Sequence, residues 1–248
     1  MNLRKRKNNT TANLRPTVSK HYKAHAASMI GSKKTIDSAS DFAANYDDYI
    51  RNCQWIGTDI LFGLMFEYIK PNQTLLDIGI GTGLSSRLFK QAGLRIYGLD
   101  GSSKMIDICQ SKGIAYKLKL VDLAKDDIWF ENVKFDHVIS HGVFHLIGNL
   151  ESIFQQSCSV LSINGCFGFT FEKINNVIDN YEESRTRGLF VRENKQSGIR
   201  VFRHTEKYIL ELMKLNGFQL LKQTEFPAFS DSTTNTKTHF NLIIAQKK

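Results

Sequence analysis

The sequence predicts an α/β fold: a doubly wound, mainly parallel sheet with helices on both faces. Three observations predict it. Short apolar runs at 75–78, 95–100, 136–140 and 166–172 alternate with segments of helical periodicity. A glycine-rich turn, Gly79-Ile80-Gly81-Thr82-Gly83, follows the first run and opens a helical pattern. Asp100 closes the second run, 19 residues after Gly81. A carboxylate at that place in a parallel sheet is set to accept two ribose hydroxyls.

Each element has its own signal, taken here in chain order. Residues 1–40 are polar, basic and poor in large apolar side chains, and read as a flexible N-terminal tail. Residues 1–36 hold nine Lys or Arg and no acid, so the whole formal charge of +9 belongs to them. The run Arg4-Lys5-Arg6-Lys7 suits a polyanion or an address, or simply solubilises the chain. Residues 41–248 read as one folded domain. Phe42, Tyr46 and Tyr49 recur at helical spacing, as do Ile60, Leu64 and Tyr68, which makes 41–70 a helical segment before the first strand. Leu84, Leu88 and Ala92 mark a helix over 84–92. Ser102 or Ser103 caps a helix that runs to Lys112 and stops at Gly113.

Tyr116, Leu118 and Leu120 alternate with Lys117 and Lys119, the pattern of a half-buried strand. Leu150, Ile153, Phe154, Ser157 and Leu161 form one helix face, and Asn164-Gly165 is a turn before the 166–172 strand. Residues 173–204 interrupt the alternation. They are expected to hold a helix over 175–187 and a hairpin of 189–192 with 199–203, forming a substrate wall. Thr205 caps a helix carrying Ile209, Leu212 and Met213, ended by Asn216-Gly217. Two strands, 218–226 and 238–245, close the chain with only a polar loop between them, which suggests an antiparallel edge.

Composition excludes several classes. With 248 residues and 42% hydrophobic content the chain builds a sizeable core. Its apolar runs are far shorter than the ~20 residues of a membrane span, and no apolar stretch follows the basic N-terminus, so a cytoplasmic protein is expected. Cys53, Cys109, Cys158 and Cys166 show no metal-ligand spacing and read as reduced thiols. Residues 37–248 carry 24 bases and 24 acids, so the folded part shows no nucleic-acid surface by net charge.

The order of the motifs adds a resemblance. Asp77-Ile78-Gly79-Ile80-Gly81-Thr82-Gly83 resembles motif I of the class I S-adenosylmethionine-dependent methyltransferases, D-x-G-x-G-x-G. The segment from Gly98 to Met105 resembles the family's second strand with its ribose acid. Val121-Asp122-Leu123 resembles its adenine-contacting pair, and Phe135-Asp136-His137-Val138-Ile139-Ser140 its fourth strand. The likeness covers roughly residues 70–172, and the final strands are compatible with it. It implies a Rossmann-like, three-layer α/β/α fold whose seven-stranded sheet has the order 3-2-1-4-5-7-6 with strand 7 antiparallel.

The resemblance also implies a chemistry: methyl transfer from S-adenosyl-L-methionine. Backbone from Gly79 through Ile80 and Gly81 to Gly83 holds the methionine part, and Asp77 reaches its ammonium. Asp100 takes the ribose, Asp122 and Leu123 the adenine, with Gly101, Met105 and Ser140 completing the cofactor set. No metal is implied. On the acceptor side stand Tyr46, Tyr49 and Trp55 of the N-terminal lid, His141, Glu172 and Arg192, with Arg187 and His204 beside them. His145 is the candidate base, since a histidine at the C-terminal sheet edge can deprotonate a hydroxyl or amine near neutral pH. The amino-directed DNA methyltransferase motif is missing: Ser140-His141-Gly142-Val143 stands in its place. A small-molecule acceptor is therefore favoured. Two other readings stay open: a nucleic-acid or protein methyltransferase guided by residues 1–36, and a cofactor-binding interaction protein without transfer activity.

Overall fold

The computed structural model describes residues 21–128, 130–174, 180–195, 197–231 and 236–248. The run Arg4–Arg6 with Lys7 lies outside them, as does most of the expected tail. Two helices, α1 (His21–Asn52) and α2 (Gly57–Met65), precede the sheet. Then follow β1 (Thr74–Ile78), α3 (Arg87–Gln91), β2 (Arg95–Asp100), α4 (Ser103–Ser111), β3 (Lys117–Leu120), β4 (Phe135–Ser140), α5 (Glu151–Val160) and β5 (Leu161–Phe171). Next come β6 (Glu182–Glu183), β7 (Leu189–Glu193) and β8 (Arg200–His204). The chain closes with α6 (Glu206–Leu215), β9 (Phe218–Asp231) and β10 (Thr236–Lys247).

The main sheet has the order β3-β2-β1-β4-β5-β10-β9. β1 to β5 run parallel, and β10 runs antiparallel to both β5 and β9. This is the expected 3-2-1-4-5-7-6 order with its last strand reversed. The order changes direction between β1 and β4, so a crevice opens beyond their carboxyl ends, where such sheets bind ligands. β1 ends there in Asp77 and Ile78, β2 in Asp100, and β4 in Ser140.

Alternation along the strands builds two cores. On one face Phe135, Phe154, Phe167, Phe169 and Phe171 pack with Tyr208, Ile209 and Met213 of α6. On the other, Leu61, Met65, Phe89, Ile96, Ile139, Leu242 and Ile244 pack together. Gly168 lets α2 lie directly on β5, since a Cβ there would sit 2.7 Å from the Met65 sulfur. Cys109 and Cys166 are buried thiols, while Cys53 and Cys158 are half-buried, and all four are free. No helix among the described residues is long and apolar enough to cross a membrane.

The structure departs from the sequence reading in four places. The expected boundary near Asp41 falls inside α1, where Ile36 and Ser40 already lie against the domain at Gly101 and Ser102. That contact needs few large apolar side chains, so composition concealed it. Of the strand expected over 116–120 only Leu118 is half-buried against the core: Tyr116 is 68% and Leu120 58% exposed, because β3 is an edge with a single neighbour. The helix expected over 84–92 shortens to α3, since Thr82 and Ser86 hold the preceding turn by side-chain hydrogen bonds. Within the expected 175–187 helix, residues 175–179 lie outside the described residues, and Glu182–Glu183 pairs with β7 in a three-stranded sheet, β6-β7-β8.

The aromatic core gives a direct test. Phe154 is fully buried, with its ring 5.2–6.3 Å from those of Phe144, Phe167, Phe169 and Phe218. Phe154→Ala is expected to cost ~3–5 kcal/mol by urea unfolding. A loss below ~1 kcal/mol would show that this layer collapses without it.

Candidate functional site

The site grows from the end of β1. Asp77 is 1% exposed, and its Oδ2 accepts a 2.7 Å hydrogen bond from Ser86 Oγ. Its Oδ1 is buried and has no hydrogen-bond partner among the described residues. Burial pushes its pKa up to about 7, the charge of Asp100 adds to that, and the Ser86 hydroxyl opposes it. A half-satisfied carboxylate at this depth is a standing acceptor for a cation.

The glycine turn wraps over this carboxylate. The Gly79 and Ile80 N–H groups both donate to Leu99 O, at 2.8 and 2.9 Å, so the turn crosses onto β2. Gly79 has φ +80°, and the Val143 side chain fills the space a Cβ would take. Gly81 has φ +54°, and nothing lies within 4 Å of the place of its Cβ, so this part of the turn is open. Its N–H donates to Asp100 Oδ2 at 2.8 Å, while Ser102 N–H donates to Asp100 Oδ1 at 2.9 Å. Burial raises the Asp100 pKa, and the N–H groups of Ser102, Gly81 and Gly101 pull it back.

Helix α1 lies along the turn. Ile36, Ser40, Ala43 and Asp47 follow one another at helical spacing on one face. Ile36 sits 2.8 Å from where a Gly101 Cβ would be. Ser40 and Ser102 share a 2.7 Å hydroxyl hydrogen bond. Thr82 Oγ1 donates to Asp47 Oδ1 at 2.6 Å, and the Lys112 ammonium pairs with Asp47 and donates to Thr82 O at 3.0 Å. Tyr46 belongs to the same stretch. Its phenol is pushed up to about 12 by burial, then by the carboxylates of Asp100, Asp47 and Asp77. Sequence reading named Tyr46 but missed Ile36, Ser40, Asp47, Thr82 and Lys112. The 4-3-4 spacing of Ile36, Ser40, Ala43 and Asp47 was the available signal for the α1 residues.

The remaining cofactor candidates have fixed places. Met105 N–H donates to Ser102 Oγ at 3.2 Å, the bond that caps the start of α4. Asp122 and Leu123 stand on the turn after β3, where Asp122 pairs with Lys125 at 2.7 Å and Leu123 packs on the core. The Ser140 hydroxyl donates to Ile78 O at 3.0 Å, and its backbone pairs opposite Phe169 of β5.

Beyond β4 lies a second, aromatic group. Trp55 Nε1 donates to His141 Nε2 at 3.1 Å, so His141 carries its proton on Nδ1. Burial, with His145 adding to it, lowers the His141 pKa to about 3. The Trp55 ring also meets Phe226 and Phe240, at 5.7 and 5.4 Å. His145 sits edge-on to Phe240 at 5.5 Å; burial lowers its pKa and the Glu172 charge opposes that. Glu172 itself pairs with Arg203 at 3.2 Å. The guanidiniums of Arg203 and Arg192 both lie against the Tyr181 ring, at 4.6 and 4.8 Å. His204 is tied to Gly148 O at 2.9 Å and stacks on Tyr208, a packing role. Tyr49 is 44% exposed and meets Phe42, and Arg187 is exposed. Tyr181 and Arg203 were missed, because only the fold brings them to Glu172. Among the described residues no His, Cys, Asp or Glu cluster fits a metal ion.

Comparison with known proteins bears on the fold that carries this site. Residues 76–169 match the family model described as a methyltransferase domain. The chain is 31% identical over 137 residues to a malonyl-[acyl-carrier protein] O-methyltransferase of Legionella pneumophila, covering 52% of this chain and 47% of that protein. The chain thus spans about half the length of this curated relative. Two solved structures share the fold. Magnesium protoporphyrin IX methyltransferase of Synechocystis, solved with S-adenosylhomocysteine, is 20% identical with a TM-score of 0.57, over 80% of this chain and 85% of that one. A Burkholderia thailandensis 1,6-didemethyltoxoflavin-N1-methyltransferase is 16% identical with a TM-score of 0.61, over 94% and 92%.

The buried carboxylate yields a prediction of sign. An ordinary aspartate releases its proton near 3.8, and folded Asp77 does so at about 7. The folded state therefore binds this proton more tightly, and its contribution to stability is lost as pH rises from near 3.8 through 7. Asp77→Asn keeps an acceptor for Ser86 and removes the buried charge. It is expected to stabilise the empty protein at pH 8 by on the order of 1–3 kcal/mol and to flatten the pH profile. Thermal melts at pH 5 and pH 8 read this, and a variant less stable than the parent at pH 8 would refute it.

Proposed function

We propose, from the match of residues 76–169 to a methyltransferase-domain model and the geometry of the site, that the chain transfers a methyl group from S-adenosyl-L-methionine to an oxygen, nitrogen or carboxylate of a small-molecule acceptor. The observation that carries this reading is the unpartnered, buried Oδ1 of Asp77 under an open glycine turn. The residues present fit the cofactor. Asp77 offers a desolvated carboxylate to an ammonium, Gly81 leaves room for close backbone approach, and Asp100 offers two oxygens at the end of β2.

The cofactor supplies a methyl group already activated on a sulfonium, and the protein's task is mainly positioning. Asp77 anchors the amino-acid end, and the Gly79–Gly83 backbone lies along it. Asp100 takes the ribose hydroxyls while the Gly81 and Ser102 N–H groups keep its carboxylate in place. Asp122, Leu123, Gly101 and Met105 bound the adenine side. Helix α1 covers the turn and excludes water from it. Trp55, Phe226 and Phe240 form an apolar wall for the acceptor. His141 already accepts from Trp55, so His145 is the histidine left to take a proton. Its low pKa suits an acceptor whose own proton is acidic.

The cofactor assignment is tested by calorimetry and thermal melts. S-adenosylhomocysteine is expected to bind and raise the melting temperature, and NAD to do neither. Asp100→Ala is expected to weaken S-adenosylhomocysteine by ~2–3 kcal/mol, through loss of charge-assisted hydrogen bonds. Equal stabilisation by NAD, or unchanged affinity in the variant, would overturn the assignment.

A further inference from the structure

The small sheet β6-β7-β8 carries a groove of about 500 Å³, a volume typical of a small-molecule site, lined among others by Arg192, Lys195, Ile199 and Val201. Its position follows from register. Arg192 pairs with Val201, and Phe190 with Arg203, so these four side chains share one face of the hairpin. Tyr181 lies against both Arg192 and Arg203 on that face. Arg203 reaches Glu172 at the end of β5, whose charge acts on His145. Contacts thus run from the groove through Arg192, Tyr181 and Arg203 to Glu172, and β8 itself packs beside the 144–146 turn that carries His145.

The charges in the groove are unbalanced. Arg192 and Lys195 form no ion pair among the described residues. Lys34 of α1 brings a third cation to the hairpin tip, in the space a Gly198 Cβ would take. Two nearby carboxylates already have cations: Glu193 pairs with Arg200 at 3.0 Å and Glu172 with Arg203 at 3.2 Å, while Glu182 and Glu183 stand on β6. Ile199 and Val201 give the same groove an apolar floor.

We propose that this groove holds the far end of the methyl acceptor, and that the acceptor is an amphipathic organic anion. Its apolar body runs along Val201 and Ile199, its terminal carboxylate or phosphate meets Arg192 and Lys195, and its reactive end lies at Glu172 and His145. This rests on the methyl-transfer reading of the cofactor site.

The test uses the full chain saturated with S-adenosylhomocysteine, titrated by calorimetry with octanoate, octyl phosphate and octanol. The two anions are expected to bind at least about tenfold tighter than the alcohol. Arg192→Ala is expected to abolish most of that preference and Arg192→Glu to reverse it, with S-adenosylhomocysteine affinity unchanged in both. Arg192 is exposed, so neither variant threatens the fold. Equal binding of the three probes, or a preference that survives both substitutions, overturns the proposal and leaves the cofactor assignment standing. Failure of S-adenosylhomocysteine to bind overturns both.

Discussion

The Asp100 carboxylate is the tie on which the site depends. One oxygen receives the Gly81 N–H and the other the Ser102 N–H, so a single side chain joins the turn after β1 to the turn after β2. Both turns leave adjacent parallel strands at the same sheet edge, and both would otherwise splay with exposed donors. The carboxylate fixes their separation and keeps their N–H groups aimed inward. Everything else in the cradle is placed relative to that tie: Ser102 then caps α4, and Ser40 of α1 finds Ser102.

The same region gathers negative charge. Asp100, Asp47 and Asp77 all act on the Tyr46 phenol, and Asp100 acts on Asp77. Only Asp47 has a full cation, from Lys112. Such a cluster is costly when empty and favours a ligand that brings a positive charge. Stability and affinity are therefore opposed at Asp77, because the feature that destabilises the empty fold is the one that selects the ligand.

Much of this was legible in the sequence, for physical reasons. A buried parallel strand needs an apolar run, and a turn that crosses a strand end needs glycine at positive φ, so β1, Gly79, Gly81 and Asp100 stood out. The strand order was legible only through family resemblance, since periodicity carries no information on which strands are neighbours. The part of helix α1 before Asp41 escaped, because its contact with Ser102 is made by Ser40, a residue type that a composition argument reads as solvated. The pairing of Trp55 with His141 spans 86 residues and leaves no local trace. The reading of 116–120 failed differently: alternation predicts two faces but not whether a helix covers either.

That last strand has a consequence for how molecules meet. β3 leaves one row of backbone donors and acceptors unpaired at the sheet edge, with Tyr116 and Leu120 exposed beside it. An edge of this kind invites a strand from another copy. Lys117 and Lys119 stand within the same four residues, Lys117 over the Phe130 ring at 5.8 Å and Arg95 over Tyr116 at 5.1 Å. Two copies docking edge to edge would bring these cations together and strip their water. The lysines that make β3 look like an ordinary alternating strand thus oppose the pairing of this open edge with the same edge of a second copy.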